Sequence, residues 1–354
     1  MTKQSIILGI ESSCDETACA IIRQDGEILA NIISSQASIH ASHGGVVPEV
    51  AAREHLSAMR PVIEQALKQS GLSFDKIDGI AATGGPGLIG GVLVGTVTAK
   101  AIASASNLPY YAVNHLEGHA LTPRFTHNLD FPYLLLLVSG GHTQLLNIKG
   151  LGKYERYGTT LDDAAGEAFD KAAKILGLGY PGGPAIQEAA KSGNPTAIKL
   201  PIPRQRYHDC HFSFSGLKTA LANAASTHPE PLPISDFAAS MQSAISACLV
   251  NRSAIAMEAF ISSYKHKEQP SFVVAGGVAA NTQIREDLQN LASSLNFTMV
   301  LPPLEFCTDN AAMIAWVGME YHQIGMNTEL DFIPRPRWPL DNNATPPPGR
   351  GVRQ

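Results

Sequence analysis

The chain has 354 residues, of which 44% are hydrophobic and 16% are charged, and its formal net charge is -5. This composition excludes a disordered chain, and the length favours two domains. The net negative charge excludes a global attraction to nucleic acid, so such a partner must be held by a local basic patch. Five cysteines without a CxxC pair, and an N-terminus without a signal-like apolar segment, favour a reducing, cytoplasmic compartment.

The first elements along the chain predict a β-meander followed by a buried strand and helix. Apolar runs at residues 6–10, 18–22 and 28–33 alternate with polar turns. The uncharged stretch 79–99 approaches the length of a membrane span. However, its seven glycines and Pro86 favour a buried strand, a glycine-rich loop and a helix, and we expect no membrane partner.

The segment 115–119 reads His-Leu-Glu-Gly-His and suggests a metal site. Two histidines four residues apart on a helix lie on one face, so His115 and His119 can reach the same metal ion. Glu117 is turned about 200° from His115 and faces away from the metal, which disfavours it as the base of a zinc protease. Two solvated surface histidines remain the alternative interpretation.

The meander pattern occurs a second time. Residues 133–138 and 143–148 predict a hairpin around a Ser-Gly-Gly-His turn, and residues 272–291 repeat the order strand, glycine turn, helix. Such duplication predicts two α/β halves facing each other across a cleft, with glycine turns that offer backbone N–H groups to phosphates. The expected architecture therefore resembles the superfamily of actin, the chaperone ATPases and the sugar kinases (the ASKHA fold).

The domain boundaries follow from this duplication. We expect a first half at residues 1–130, on which a C-terminal helix can also pack, and a second half at 131–340. The second half carries an insertion at about 155–233, and residues 341–354 form a disordered, proline-rich tail.

The insertion contains a cluster of basic residues. Residues 189–218 hold Lys191, Lys199, Arg204, Arg206 and Lys218 against a single acidic residue, Asp209. We expect contact with a phosphate backbone, with Lys199, Arg204 and Arg206 as the candidate residues. A solvated loop is the alternative.

A third metal ligand is expected near the C-terminal end. Two histidines usually bind a metal together with a carboxylate or a third nitrogen. Asp309 is the candidate, because it directly precedes an apolar helical segment. An aspartate in that place is equally typical of a helix N-cap.

Taken together, these motifs resemble the bacterial branch of the TsaD family, the tRNA threonylcarbamoyladenosine transferases once described as glycoproteases. The resemblance covers residues 6–340. It rests on the segments 9–17, 44–49, 115–119, 138–144, 162–171, 212–219, 275–277 and 306–315.

The resemblance implies transfer of a threonylcarbamoyl group from threonylcarbamoyl-adenylate to N6 of adenosine 37, in tRNAs that read ANN codons, with release of AMP. It implies one divalent metal per subunit, iron(II) in first place and zinc as the alternative, bound by His115, His119 and Asp309. The residues implied in substrate binding are Val138, Ser139, Gly140, Gly141, His142, Asp170, Gly183 and Asn281. Leu137 stands where the archaeal branch has a tyrosine ligand, which would leave an extra open position on the metal.

The resemblance also implies three macromolecular partners, namely tRNA, a TsaB-like paralogue and a TsaE-like ATPase. Because N6 of adenosine must lose a proton, we expect a general base, with Asp15 or Glu16 as candidates. Three alternatives stay open: an ATP-dependent small-metabolite kinase or carbamoyltransferase of the same fold, a metallopeptidase, and an inactive scaffold.

Overall fold

The computed structural model describes residues 4–41, 45–266 and 268–345. The chain divides into two compact units. Unit 1 comprises Met1–Leu129 and Pro302–Leu340, and unit 2 comprises Asp130–Leu301 and Asp341–Gln354. Each unit is built on one five-stranded sheet.

Unit 1 begins with the expected meander. Its strands are β1 (Ile6–Glu11), β2 (Glu16–Arg23), β3 (Ile28–Ser35), β4 (Gly79–Gly85) and β5 (Tyr110–Asn114), and its first helices are α1 (Ala37–Ala41), α2 (Pro48–Ser70), α3 (Ile89–Ser106) and α4 (His115–His127). The strand order is β3-β2-β1-β4-β5. β2 is antiparallel to β1 and β3, whereas β4 is parallel to β1 and β5.

Unit 2 repeats this topology. Its strands are β6 (Tyr133–Val138), β7 (Thr143–Gly150), β8 (Lys153–Thr159), β9 (Ser271–Ala275) and β10 (Thr298–Val300), in the order β10-β9-β6-β7-β8. Its helices are α5 (Ala165–Ile175), α6 (Gly182–Ala190), α7 (Ser215–Thr227), α8 (Ile234–Ser263) and α9 (Thr282–Ser294). Both sheets place a parallel strand beside the first strand of a meander, so the prediction of a duplicated α/β fold is confirmed.

The last helix returns to the first sheet. α10 (Ala311–Gln323) packs against β1, β2, β4 and β5, on the face opposite α2 and α3. Residues 302–340 therefore belong to unit 1, whereas the expected boundary placed them in the second half and only allowed the C-terminal helix to pack on the first. The reason is that β1 and β4 are buried on both faces, and a sheet buried on both faces needs a helical layer on each.

Two other expected boundaries also differ. β8 is a sheet strand up to Thr159, because it pairs with β7, so the inserted helices begin after it rather than at residue 155. The start of the expected disordered tail is held in place by Arg156. The Arg156 N–H donates a hydrogen bond to the Asp341 carboxylate, and the Arg156 guanidinium donates one to the Thr345 carbonyl. Residues 346–354 lie outside the described residues.

The uncharged stretch 79–99 forms β4, a turn and most of α3, as predicted. Two helices, α3 and α8, are long and apolar enough by themselves to cross a membrane. In the most apolar window of each helix, 33% of α3 and 56% of α8 is buried inside the protein. α3 packs on β4 and α2, while α8 packs on α6 and α9, so both serve as layers over the sheets.

Candidate functional site

One candidate site lies at the carboxyl edge of the unit 1 sheet. β1, β4 and β5 are parallel, so their carboxyl ends, at Glu11, Gly85 and Asn114, reach the same edge. α4 begins directly after β5, where the Asn114 side chain caps the helix by accepting from the Leu116 N–H at 2.9 Å. This cap places His115 at the first residue of the helix.

His115 and His119 face the same carboxylate. Nε2 of His119 lies 3.1 Å, and Nε2 of His115 3.5 Å, from Oδ1 of Asp309. One ligand atom from each of the three residues lies within 4.8 Å of the others. Both imidazoles are buried, so the alternative of solvated surface histidines is wrong.

Asp309 faces the histidines because its neighbour performs the capping. The Asn310 side chain accepts a hydrogen bond from the Met313 N–H at 3.1 Å and is the N-cap of α10. Asn310 itself is fully buried. The carboxylate one residue earlier is thereby left for the imidazoles, and the N-cap interpretation of Asp309 is wrong.

These residues fit a divalent metal. Nδ1 of His115 lies 3.1 Å from both the Glu11 carboxylate and the Ser13 hydroxyl, an arrangement typical of metal-binding histidines whose second nitrogen is held by a carboxylate. Glu11 is held in turn by the Thr83 hydroxyl at 2.5 Å and the Ser13 N–H at 2.6 Å. Two imidazoles and one carboxylate form a ligand set suited to iron(II) or zinc and leave further coordination positions open.

The ionisable side chains at this site change one another's pKa. Burial alone would raise the pKa of Asp309, but His115 and His119 hold it well below its usual value. Burial alone would lower the pKa of His115, but Asp309 and Glu11 raise it well above its usual value. In the metal-free protein His115 therefore carries a proton between two carboxylates, and a metal must displace that proton in order to bind.

Glu117 points to another part of unit 1. It is buried, and its carboxylate accepts a hydrogen bond from the Tyr321 hydroxyl of α10. Because this group ties α4 to α10, it is not a base beside the metal ligands. The geometry gives no support to a metallopeptidase.

The two candidate bases lie at the start of β2. Burial raises the pKa of Glu16 to about 9, with Asp309, Asp15 and Glu11 acting in the same direction. A raised pKa favours the protonated form of Glu16, which makes this residue a weaker candidate than Asp15 for proton removal at neutral pH. Asp15 remains the candidate for proton removal.

Sequence reasoning missed Glu11, Ser13 and Thr83 as residues that support the site. A signal was available, because Glu11 and Thr83 lie near the carboxyl ends of two neighbouring buried strands. Reading that signal requires the strand order, since Glu11 and His115 are 104 residues apart in the chain.

A separate group of the expected site residues lies in unit 2, in the turn between β6 and β7. The Ser139 N–H donates to the His142 carbonyl at 2.8 Å, and the His142 N–H donates to the Ser139 hydroxyl at 3.1 Å. Gly140 and Gly141 form the exposed tip of this turn. Gly276 packs beside the turn with φ +98, where a Cβ would lie 2.4 Å from the Val138 carbonyl oxygen.

The start of α5 borders the same turn, and the start of α6 contacts α5. At the start of α5, the Gly166 N–H donates to the Ser139 carbonyl at 3.2 Å. Further along this helix, the Asp170 carboxylate accepts from the Gly182 N–H of α6 at 2.7 Å, which places Gly183 next to Asp170.

Asn281 lies near these helices but already uses both ends of its amide. Its oxygen caps α9 by accepting from the Ile284 N–H at 3.1 Å, and its nitrogen donates to Gln242 at 2.7 Å. The structure thus gathers the expected substrate residues on adjacent turns of unit 2 and gives Asn281 a capping role.

The basic cluster of the insertion is only partly available. Arg204 is largely buried, pairs with Asp209 and stacks on Tyr207, with 4.3 Å between its guanidinium carbon and the ring centre. Lys199 and Arg206 are exposed. Arg204 is therefore a weaker candidate for a phosphate contact than expected, because its charge is already neutralised by Asp209.

Comparison with known proteins supports the resemblance to the TsaD family. The family model described as TsaD, tRNA N6-adenosine threonylcarbamoyltransferase, matches residues 27–316. A protein of that name from Sinorhizobium medicae is 54% identical over 355 residues, which cover 98% of each chain. Another, from Paramagnetospirillum magneticum, is 52% identical over 342 residues, which cover 96% of this chain and 98% of the relative.

Solved structures with low sequence identity share the fold. HypF from T. kodakarensis matches with a TM-score of 0.61 at 16% identity, covering 90% of this chain and 48% of that chain. Component A of Acidaminococcus fermentans (R)-2-hydroxyglutaryl-CoA dehydratase matches with a TM-score of 0.51 at 15% identity, covering 90% and 99%. The match to the family model over residues 27–316 and the near full-length matches to its relatives lead to one conclusion: the chain belongs to the TsaD family of tRNA N6-adenosine threonylcarbamoyltransferases.

Proposed function

We propose that the chain transfers the threonylcarbamoyl group from L-threonylcarbamoyl-adenylate to N6 of adenosine 37, in tRNAs that read ANN codons, and that AMP is released. Family membership supports a threonylcarbamoyl transfer to tRNA. The observation that carries the finer proposal is the set of two buried histidines and one carboxylate, with His115 oriented by Glu11.

In this proposal His115, His119 and Asp309 hold one divalent metal, iron(II) or zinc. The bound metal would polarise the carbonyl of the donor or neutralise its phosphate. Glu11 and Ser13 orient His115 through its Nδ1 atom, so that Nε2 faces the ligand position. Because the donor is a mixed anhydride and already activated, the transfer needs no protein nucleophile.

Unit 2 contributes the residues proposed to bind the donor. The turn formed by Val138, Ser139, Gly140, Gly141 and His142 offers backbone N–H groups to negative charge that develops during the transfer. The Asp170 carboxylate binds the ribose hydroxyls, since a carboxylate can accept several hydrogen bonds at once. Gly183 and Asn281 contact the remainder of the adenylate. In our proposal Asp15 takes the proton from N6.

We further propose that the protein works in the cytoplasm with tRNA, a TsaB-like paralogue and a TsaE-like ATPase. Exposed apolar side chains on α2 and α3 support a protein partner, among them Leu56 at 67% and Val97 at 60% exposure. Leu56 lines a groove of about 380 Å³ between the two helices. Lys199 and Arg206 are the proposed tRNA contacts on unit 2.

The test is a transfer assay with the purified chain, both partners, threonylcarbamoyl-adenylate and unmodified tRNA. We expect modified adenosine to form in step with AMP release. His119→Ala should lose both the transfer and the bound metal, because it removes one of three ligands. Lys265→Ala, a change of an exposed residue after α8, is the matched control and should keep both.

Two outcomes would contradict the proposal. The metal assignment fails if the His119→Ala protein retains its full metal content. ATP turnover without tRNA, together with no modified adenosine, would favour the small-metabolite kinase or carbamoyltransferase alternative.

A further inference from the structure

A short segment after α10 lies across the carboxyl edge of the unit 1 sheet. We call residues 332–338 the C-terminal strap. The Arg335 N–H donates to the Gly84 carbonyl at 2.8 Å, and the Pro336 carbonyl accepts from the Gly87 N–H at 3.3 Å. The Trp338 carbonyl accepts from the Asn114 side chain at 3.0 Å. The strap is therefore held by backbone groups along its length.

These hydrogen bonds attach the strap to the elements that carry the metal ligands. Asn114 directly precedes His115 in the chain. Gly87 is followed by Leu88, whose N–H donates to the Ser13 carbonyl at 2.7 Å, and the Ser13 hydroxyl contacts His115. The strap is thus connected to His115 by two routes, one through Asn114 alone and the other through Gly87, Leu88 and Ser13.

Arg335 presents a fixed positive charge on this strap. Its guanidinium carbon lies 5.3 Å from the centre of the Phe332 ring and 5.1 Å from that of Trp338. Arg335 is exposed, and so is Arg337. Within the described part of the chain neither arginine forms an ion pair, not even with Glu329 or Asp331 just before the strap.

This arrangement suits a phosphate backbone. A guanidinium already positioned by two rings loses less side-chain entropy when it binds, and it can donate two parallel hydrogen bonds to one phosphate. Arg335 and Arg337 are two residues apart, so their Cα atoms are at most about 7 Å apart, and they can contact neighbouring phosphates of one strand.

We propose that the C-terminal strap binds the phosphate backbone of the tRNA next to the adenosine that is modified, through Arg335 and Arg337. This inference rests on the proposed function for the identity of the RNA. It adds a contact on unit 1 to the basic residues Lys199 and Arg206 of unit 2.

The test is a salt titration of tRNA binding by the full-length chain with its partners. Arg335→Gln and Arg337→Gln should each weaken binding by about tenfold, as expected for the loss of a charged hydrogen bond. Each should also reduce the slope of log affinity against log salt by about one. Arg335→Lys keeps the charge and should keep the slope.

Lys68→Gln is the matched control, because it removes an exposed charge from the last turn of α2, away from the strap. Metal content and thermal midpoint, measured for every variant, identify any that misfold. The inference is overturned if both arginine variants bind tRNA with wild-type affinity and slope, or if they lose only the binding of a protein partner.

Failure of this inference can be separated from failure of the proposed function. Wild-type protein that modifies tRNA, with arginine variants that bind tRNA equally well, rejects the strap alone. Wild-type protein that yields no modified adenosine rejects the proposed function. In that case the salt dependence of tRNA binding alone tests the strap. Equal slopes for wild type and the arginine variants reject the proposed contact.

Discussion

His115 has different neighbours on its two ring nitrogens. Nε2 faces Asp309, and Nδ1 faces Glu11 and Ser13. The group bound at one nitrogen determines which tautomer is present and how the ring is turned. The spacing of His115 and His119 is visible in the sequence, but the residues that orient His115 come from β1 and its following turn.

Glu16 predicts a particular dependence of stability on pH. Its pKa in the folded protein, about 9, lies above the ordinary value of 4.5. Between these values the folded state holds a proton that unfolding releases, so the free energy of unfolding falls as the pH rises, by at most about 1.4 kcal/mol per pH unit. Glu16→Gln removes this loss of stability with rising pH, because glutamine does not titrate. The variant should gain stability over wild type from pH 6 to pH 8.5, measured by urea unfolding.

Glu64→Gln is the control, because Glu64 is an exposed residue of α2. It should leave the pH dependence as in wild type. Parallel stability curves for wild type and Glu16→Gln over the same pH range would show that Glu16 is not protonated in the folded protein.

At the scale of elements, the start of α10 depends on a division of roles between Asp309 and Asn310. Both residue types are good N-caps, so the sequence alone leaves the cap at either residue. In the structure Asn310 caps the helix, and Asp309 is one residue outside it, facing His115 and His119. The metal site therefore depends on where the helix begins.

Asn310→Ala should destabilise the protein by about 1 kcal/mol, because it removes the cap of α10. It should also weaken metal binding, since Asp309 is positioned by the helix start. Asn310→Ser keeps a side-chain acceptor and should retain most of both properties. Thermal unfolding and metal content check the two variants. Equal loss in Ala and Ser would mean that capping is not what positions Asp309.

The elements themselves were largely predictable. Both meanders follow from apolar runs that alternate with polar turns, and the long helix α8 contains no proline or glycine that would interrupt it. The start of the insertion was misplaced because β8 is mostly half-buried and lies at the edge of its sheet, so its hydrophobic pattern is weak.

At the scale of the whole molecule, unit 1 is completed by a segment that begins at Pro302, well after its first part ends at Leu129. α10 packs closely on β1, and Gly9 makes this approach possible. A Cβ at Gly9 would lie 2.5 Å from the Ala315 backbone nitrogen and 2.6 Å from the Ala311 carbonyl oxygen. Neither backbone atom can move without displacing the helix.

Gly9→Ala should therefore destabilise unit 1 by about 1–3 kcal/mol, the usual cost of overpacking a core. Because the same helix start positions Asp309, the variant should also lose metal. Urea unfolding and metal content are the measurements. Gly216→Ala, in α7, is the control, because a Cβ there meets nothing within 4 Å. A Gly9→Ala protein as stable as wild type would contradict the close packing of α10 on β1.

The sequence by itself determined the duplicated α/β fold, the His115–His119 pair and the family, because these depend on local periodicity and on short motifs. Only the tertiary structure decided that residues 302–340 complete unit 1, that Asp309 rather than Asn310 faces the histidines, and that Glu11 orients His115. It also decided that Arg204 forms an ion pair with Asp209, whereas Arg335 is exposed. The physical reason is that each of these outcomes depends on contacts between residues far apart in the chain or on competition between neighbours for one partner.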